Sequence, residues 1–163
     1  MCGFPLMHLD KYLKMLVQHN KRFVALCEEF PRYSDSGTKE FERRVVRVVT
    51  PGTLIDESFL NSYENNYLLA VSTTDAPSPQ SPVGLAWMDV STGEFFSETS
   101  TCEHFPDDLA RINPKEVVLD DKLRSASHPV LLSLSEENAC VSYIKPTRAT
   151  QTVSKSYFTR CFL

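Results

Sequence analysis

Leu6, Leu9, Leu13, Leu16 and Val17 recur at three- and four-residue intervals, with Lys11, Lys14 and Gln18 between them. That period predicts an amphipathic helix over about residues 7–19, with Pro5 ahead of it where a first-turn proline is tolerated. The pattern then changes. Phe23-Val24-Ala25-Leu26-Cys27 centres a strand over residues 21–30, and the polar, turn-rich stretch 31–40 predicts a loop. Residues 44–49 form a second strand, in which Arg44 and Arg47 interrupt a run of valines. Thr50-Pro51-Gly52-Thr53 ends it sharply, because proline presets φ at the first central turn position and glycine tolerates positive φ at the next. This is a candidate domain boundary, with residues 54–65 as connector.

Beyond it the pattern is that of an α/β unit. Residues 67–72 predict a strand and 73–82 a long loop. Residues 84–90 and 94–99 predict the arms of a hairpin turned by Ser91-Thr92-Gly93, with Gly93 supplying the left-handed residue. Pro106, Asp107 and Asp108 open a short helix with acids at its positive end. Asn113-Pro114 closes it, and residues 116–120 form a further buried strand. A helix within 121–135 and a strand over 140–144 follow. The tail from Lys145 has no clear period, and there is no internal repeat.

Composition changes this picture little. The apolar fraction is 42% and the charged fraction 23%, ordinary for a soluble globular protein. No apolar run approaches the roughly 18 residues a bilayer span needs, so no membrane partner is expected. Met1-Cys2-Gly3-Phe4-Pro5 has the form of neither a secretory signal nor a mitochondrial presequence. Cys2, Cys27, Cys102, Cys140 and Cys161 are odd in number, scattered and without a C-x-x-C pair, which argues against a disulfide framework or zinc site. Charge is more informative. The net −4 divides into +3 over residues 1–50, −11 over 51–144 and +4 over 145–163. A basic first third suits a polyanion, although a plain solvated surface gives the same count.

Signatures of phosphate-cradling loops, nucleophile elbows and H-E-x-x-H metal sites are missing from the sequence. His8, His19, His104 and His128 are too dispersed to suggest a metal cluster. Two constellations remain. Asp89, Glu98, Asp120 and Asp121 fall on or beside successive strands, the order in which ribonuclease H-like nucleases hold two divalent metals; equally, they are turn and capping residues. Arg43, Arg44 and Arg47 flank a strand beside a loop carrying Arg32 and Lys39. In a regular strand Arg43 and Arg47 share one face and Arg44 takes the other, so the pair is a candidate for DNA-backbone phosphates. Solubilising charge on an edge strand is the alternative.

Gly3-Phe4-Pro5, the helix around Leu9-Asp10-Lys11-Tyr12-Leu13, and Val24-Ala25-Leu26-Cys27-Glu28-Glu29 resemble the second half of the MutS mismatch-recognition domain. The stretch from Glu42-Arg43-Arg44 through Thr50-Pro51-Gly52-Thr53 resembles the segment by which that family leaves the domain. Asp56-Glu57, Asn66-Tyr67-Leu68-Leu69-Ala70, Asp89-Val90-Ser91-Thr92-Gly93-Glu94-Phe95 and Asn113-Pro114-Lys115-Glu116 resemble the start of its connector domain. The likeness runs in order from Gly3 to about Asp120, and its wording is nearest the fungal mitochondrial branch. It implies a fold class of α/β: a partial mixed α/β mismatch-recognition domain over residues 1–53, a linker over 54–65, and a truncated ribonuclease H-like connector without nuclease activity over 66–163.

The same resemblance implies a function. The parent protein binds double-stranded DNA with mismatches as a homodimer, inserting the Phe of a Phe-x-Glu motif beside the mispair, so that easily deformed sites are favoured. Its connector relays the DNA-bound state and serves contacts with repair proteins. ATP and Mg²⁺ are cofactors of the parent's ATPase, and none is expected for this stretch, which is therefore not an enzyme by itself. The Phe-x-Glu wedge belongs before Gly3; Phe96-Ser97-Glu98 matches its letters in the wrong domain. Arg43 sits where the family places a basic residue near the DNA backbone, with Arg47 beside it. The closing residues 156–163 match nothing in the family pattern, as in a truncated gene product. The compartment implied is mitochondrial, with the nucleus as the alternative.

Overall fold

The N-terminal helix winds in three modes. In the computed structural model a 3₁₀ turn (Leu6–His8) leads into α1 (Leu9–Lys14), and a π turn (Met15–His19) follows. Leu13 and Val17 are its buried positions, four residues apart as one helical face requires. Lys21, with φ of +49°, reverses the chain, so β1 starts at Val24 rather than near residue 21. The structure describes residues 3–33, 39–56, 59–61, 63–74, 78–125 and 127–145.

β1 (Val24–Tyr33) and β2 (Lys39–Val49) form a two-stranded antiparallel ribbon. Both strands run into the stretch expected to be a loop: Pro31 pairs with Phe41, Arg32 with Glu40 and Tyr33 with Lys39. Proline is tolerated there because an edge strand needs no donor on its outer side. The base of the ribbon packs on the helix through Val24, Leu26 and Val49, with Leu54 and Phe59 completing this first core.

The second core belongs to a five-stranded sheet of order β5-β4-β3-β6-β7, with β3 (Tyr67–Thr73), β4 (Pro82–Asp89), β5 (Phe95–Thr101), β6 (Glu116–Asp120) and β7 (Val141–Ile144). β4 runs antiparallel to both β3 and β5, whereas β6 lies parallel to both β3 and β7. α2 (Phe105–Ile112) and α3 (Pro129–Glu136) cover one face. Phe105, Leu109 and Ile112 meet Leu69, Val71, Val83, Leu85, Val117 and Leu119 there. α2 has the expected punctuation: Pro106 at its start, Asp107 and Asp108 in its first turn, and Asn113 at φ +49° closing it with an N–H bond to Leu109 O at 2.9 Å. The helix expected within 121–135 is divided into a 3₁₀ turn (Asp121–Ser125) and α3. Pro129 disfavours helical geometry in the residue before it, and His128 is accordingly extended at φ −109°, ψ 137°.

The turn after β2 is seated against this sheet. Gly52 and Pro51 are buried, Gly52 N–H donates to Glu116 Oε2 at 3.0 Å, and Asn66 Nδ2 donates to Leu54 O at 3.3 Å. An added Cβ at Gly52 would lie 2.7 Å from Leu68 Cδ1 and 2.8 Å from Glu116 Cβ. Glycine is required here by closeness of approach. Gly93 is required by its backbone, at φ +79° in the β4–β5 turn. Among the described cysteines Cys102 is buried in the core, Cys27 exposed and Cys140 half-buried, all three unpaired. Burial, followed by the charge of Glu116, pushes the Cys140 thiol up.

Candidate nucleic-acid interface

The arginines singled out from the sequence lie on β2, and the strand register decides what each faces. Glu29 stands opposite Arg43, Glu28 opposite Arg44 and Cys27 opposite Val45. The next pair is Leu26 with Arg47, so Val46 is an extra residue, a bulge. Directly paired residues share a face. Glu29 and Leu26 are three apart on the unbulged strand and point opposite ways. Arg43 therefore lies on one face with Val45 and Val48, and Arg47 on the other with Leu26 and Val49. The common face expected for Arg43 and Arg47 does not exist, because one inserted residue inverts the alternation.

Each arginine is met by an acid. Arg43 Nε and Nη2 donate to Glu29 Oε1 at 2.9 and 2.7 Å, with the arginine side chain 73% exposed. Arg44 Nη2 donates to Glu42 Oε2 at 2.7 Å and lies over the Phe30 ring at 5.6 Å. Its hydrogen bond and charge raise the Arg44 pKa and lower that of Glu42. Arg47 grips Asp56 through both guanidinium arms at 3.4 and 2.9 Å, and is only 34% exposed. Asp56 and Glu29 are the partners that sequence reasoning missed; a hairpin register beginning at Tyr33 and Lys39 would have identified Glu29.

The acidic constellation disperses. Asp89 pairs with Tyr67 at the start of β3, whereas Asp120 lies two residues beyond Val118, the partner of Ala70. Five residues of strand separate their levels, about 16 Å at 3.3 Å per residue, whereas two catalytic metals sit about 4 Å apart. Asp89 instead closes the hairpin, accepting Asn66 N–H at 2.9 Å, Ser91 N–H at 2.9 Å and Ser91 Oγ–H at 2.5 Å. Burial raises its pKa, but the hydrogen bonds from Ser91, Asn66 and Thr92 outweigh this and hold it below the ordinary value. Asp120 accepts Lys122 N–H at 2.9 Å and Asp121 pairs with Arg124 at 3.5 Å. The register does not bring together the carboxylates that a two-metal nuclease would need.

Phe96-Ser97-Glu98 is equally committed to structure. Phe96 stacks on Trp87 at 5.6 Å between ring centres, and Glu98 accepts from Arg111 at 2.6 Å. Arg111 also holds Asp108 at 3.0 Å and covers Trp87 at 5.7 Å. These side chains buttress the sheet.

Two family descriptions match the chain: "MutS domain I" over residues 1–58 and "MutS domain II" over residues 66–162. The second match reaches the closing residues that sequence reading alone left unplaced. Among relatives, "DNA mismatch repair protein MutS" of Rhodopseudomonas palustris (strain HaA2) is 41% identical over 127 residues, covering 77% of this chain and 14% of the relative. The protein of that name in Bradyrhizobium sp. (strain ORS 278) is 40% identical over 141 residues, covering 83% and 15%. That of Ehrlichia chaffeensis (strain Arkansas) is 37% identical over 127 residues, covering 76% and 15%. The chain thus spans about a seventh of the length of these relatives, which bear on the family and not on a branch within it.

Proposed function

The chain belongs to the MutS family, and from that premise we propose that it serves DNA mismatch repair as part of a MutS-type protein, meeting duplex DNA non-catalytically through the β1–β2 ribbon. The observation that carries this reading is the state of Arg43: 73% exposed, on an open face, and held by a single exposed carboxylate. An exposed ion pair of that kind stabilises by only about 0–1 kcal/mol, so a DNA phosphate can take the place of Glu29 at little cost and receive the same two N–H bonds. Arg47 is the weaker DNA contact of the two. It faces the other way and is engaged bidentately by Asp56, so its main role is to fix the base of the ribbon to the segment that follows.

Contacts of this kind are sequence-independent. The 163 residues carry no Phe-x-Glu outside β5, so homoduplex and G·T heteroduplex are expected to bind alike. Mismatch preference, homodimerisation and ATP chemistry with Mg²⁺ would then come from parts of a MutS-type protein outside this stretch. The strand order β5-β4-β3-β6-β7 supports the ribonuclease H-like reading of the second unit. A mitochondrial compartment, with the nucleus as the alternative, extends the same proposal, and fractionation of cells expressing the tagged natural protein would decide between them.

The test is an anisotropy titration of duplex DNA across a salt series. Arg43→Gln should weaken binding and reduce the slope of log K against log salt by about 1. Arg47→Gln should change the slope less and lower thermal stability more. An unchanged slope in Arg43→Gln, or a clear preference for the G·T duplex by the parent chain, would sink this reading.

A further inference from the structure

β5 is the outer strand of the five-stranded sheet, and the described strand beside it is β4. Hydrogen bonds at both ends of that pairing fix which backbone groups of β5 point away. Asp89 N–H donates to Glu94 O at 3.0 Å, and Cys102 N–H donates to Ser81 O at 3.0 Å. Glu94 and Cys102 thus face β4, as do the alternate residues between them, Phe96, Glu98 and Ser100. Ser97, Thr99 and Thr101 therefore turn their N–H and C=O groups outward. Among the described residues this edge lacks two of the usual guards: β5 contains no proline or lysine, and its register with β4 is unbroken over seven pairs, without a bulge. Natural edges this open are usually blunted by such devices.

The charge around the edge is one-sided. Glu94 just before β5, Glu98 on it, Glu103 in the turn after it and Asp107 in the first turn of α2 are all exposed. The nearby cation Arg111 is already bonded to Glu98 and Asp108. A second copy of the chain pairing antiparallel along this edge would bring Glu98 near its own counterpart, and like charges across a ladder repel. A lysine- or arginine-bearing strand meets no such obstacle.

We propose that the β5 edge accepts an extended, basic segment of a partner protein as a sixth strand. The outward N–H and C=O groups of Ser97, Thr99 and Thr101 supply the ladder, and Glu94, Glu98 and Glu103 select basic side chains. This surface goes beyond the DNA reading and does not rest on it. Arg43 lies on the ribbon, so either proposal can fail while the other stands.

The test uses the full chain and three fluorescein-labelled peptides: an alternating Lys–Val octapeptide, its Glu–Val counterpart, and the Lys–Val peptide N-methylated at alternate residues. The unmodified basic peptide should bind at least about tenfold tighter than either of the others. Thr99→Pro removes one outward donor and leaves the β4 ladder intact, and should weaken that binding about tenfold, with far-UV circular dichroism and Trp87 fluorescence reporting folding. Glu94→Lys combined with Glu103→Lys leaves the backbone untouched, and should shift preference towards the acidic peptide. Equal binding of the N-methylated peptide would overturn the proposal, as would no binding of the basic peptide at millimolar concentration. Self-association in sedimentation velocity that Thr99→Pro abolishes, with no peptide bound, would assign the edge to a second copy and overturn it as well.

Discussion

Replacing Gly52 with alanine tests whether the turn after β2 is a packed joint or a plain connector. The new methyl would lie 2.7 Å from Leu68 Cδ1 and 2.8 Å from Glu116 Cβ, well inside the 3.5–4.0 Å at which carbon atoms attract. Leu68 Cδ1 ends a side chain that can rotate away. Glu116 Cβ is tied to the backbone of β6, so the turn or the strand must move. Movement also stretches the 3.0 Å bond from Gly52 N–H to Glu116 Oε2, a donor buried where water cannot replace the acceptor. Overpacking of this kind costs about 1–3 kcal/mol. Against it, alanine restricts the unfolded chain, which stabilises by about 0.4–1 kcal/mol. Gly52 is not among the positive-φ positions, so no backbone strain is added. The net expectation is a loss of about 1–2 kcal/mol, or a melting temperature lowered by about 2–8 °C for a chain of this size. Thermal and urea unfolding followed by fluorescence of Trp87, the single tryptophan, measures this from within the sheet. Gly84→Ala is the control, since its Cβ would meet Ser72 Cβ at an ordinary 3.6 Å and should change stability by less than about 0.5 kcal/mol. If Gly52→Ala unfolds with the same midpoint as Gly84→Ala, the packed-joint argument is wrong.

Asp89→Asn should destabilise the hairpin by about 1–3 kcal/mol at neutral pH, because an amide cannot accept from all the donors that the carboxylate now satisfies. The Asp89 pKa is depressed on folding, so its contribution is complete above the unfolded value of about 3.9 and is lost as pH falls through the lower folded value. Urea midpoints between pH 3 and 7 should therefore fall less steeply on the acid side in Asp89→Asn than in the parent; parallel curves would refute the assignment. His128 is 4% exposed and its Nδ1 accepts Val130 N–H at 3.2 Å at the start of α3. His128→Ala should cost about 1–3 kcal/mol from the lost cap and the void, and His128→Asn, which can still accept, should recover part of it in the same urea assay.

What the sequence revealed, and what it hid, follows the distance over which each signal acts. α2 was legible because independent local signals agree: Pro106 and two acids open it, Asn113 closes it, and Phe105, Leu109 and Ile112 mark one face. β6 was legible to the residue, since Glu116–Asp120 is a short apolar run following Asn113-Pro114. The ribbon was misjudged in length because Pro31 and its polar neighbours signal a turn locally. Pairing with Phe41, Glu40 and Lys39 carries both strands on regardless. The hold of Glu116 on Gly52 spans 64 positions and leaves no trace in either neighbourhood.

The bulge at Val46 matters most for the candidate site. Along Arg43-Arg44-Val45-Val46-Arg47-Val48-Val49 the side chains alone do not show where alternation slips. A strict period of two puts Arg43 and Arg47 together, and a single extra residue separates them. That slip places Val49 in the first core with Leu13 and Val17 and leaves Val45 and Val48 exposed beside Arg43. The requirement to bury Val49 at the base of the ribbon thus decides which arginine remains open to a polyanion. Arg47, on the core side, is drawn to Asp56, while Arg43 keeps only an exposed carboxylate partner. The DNA-facing role accordingly concentrates on Arg43, and deleting Val46, the residue without a cross-strand partner, should close the bulge while keeping Arg47 opposite Leu26, on the face away from Arg43. The salt slope of DNA binding should then stay unchanged, with Val49 still opposite Val24 and packed with Leu13 and Val17; a slope raised by about 1 would refute this register.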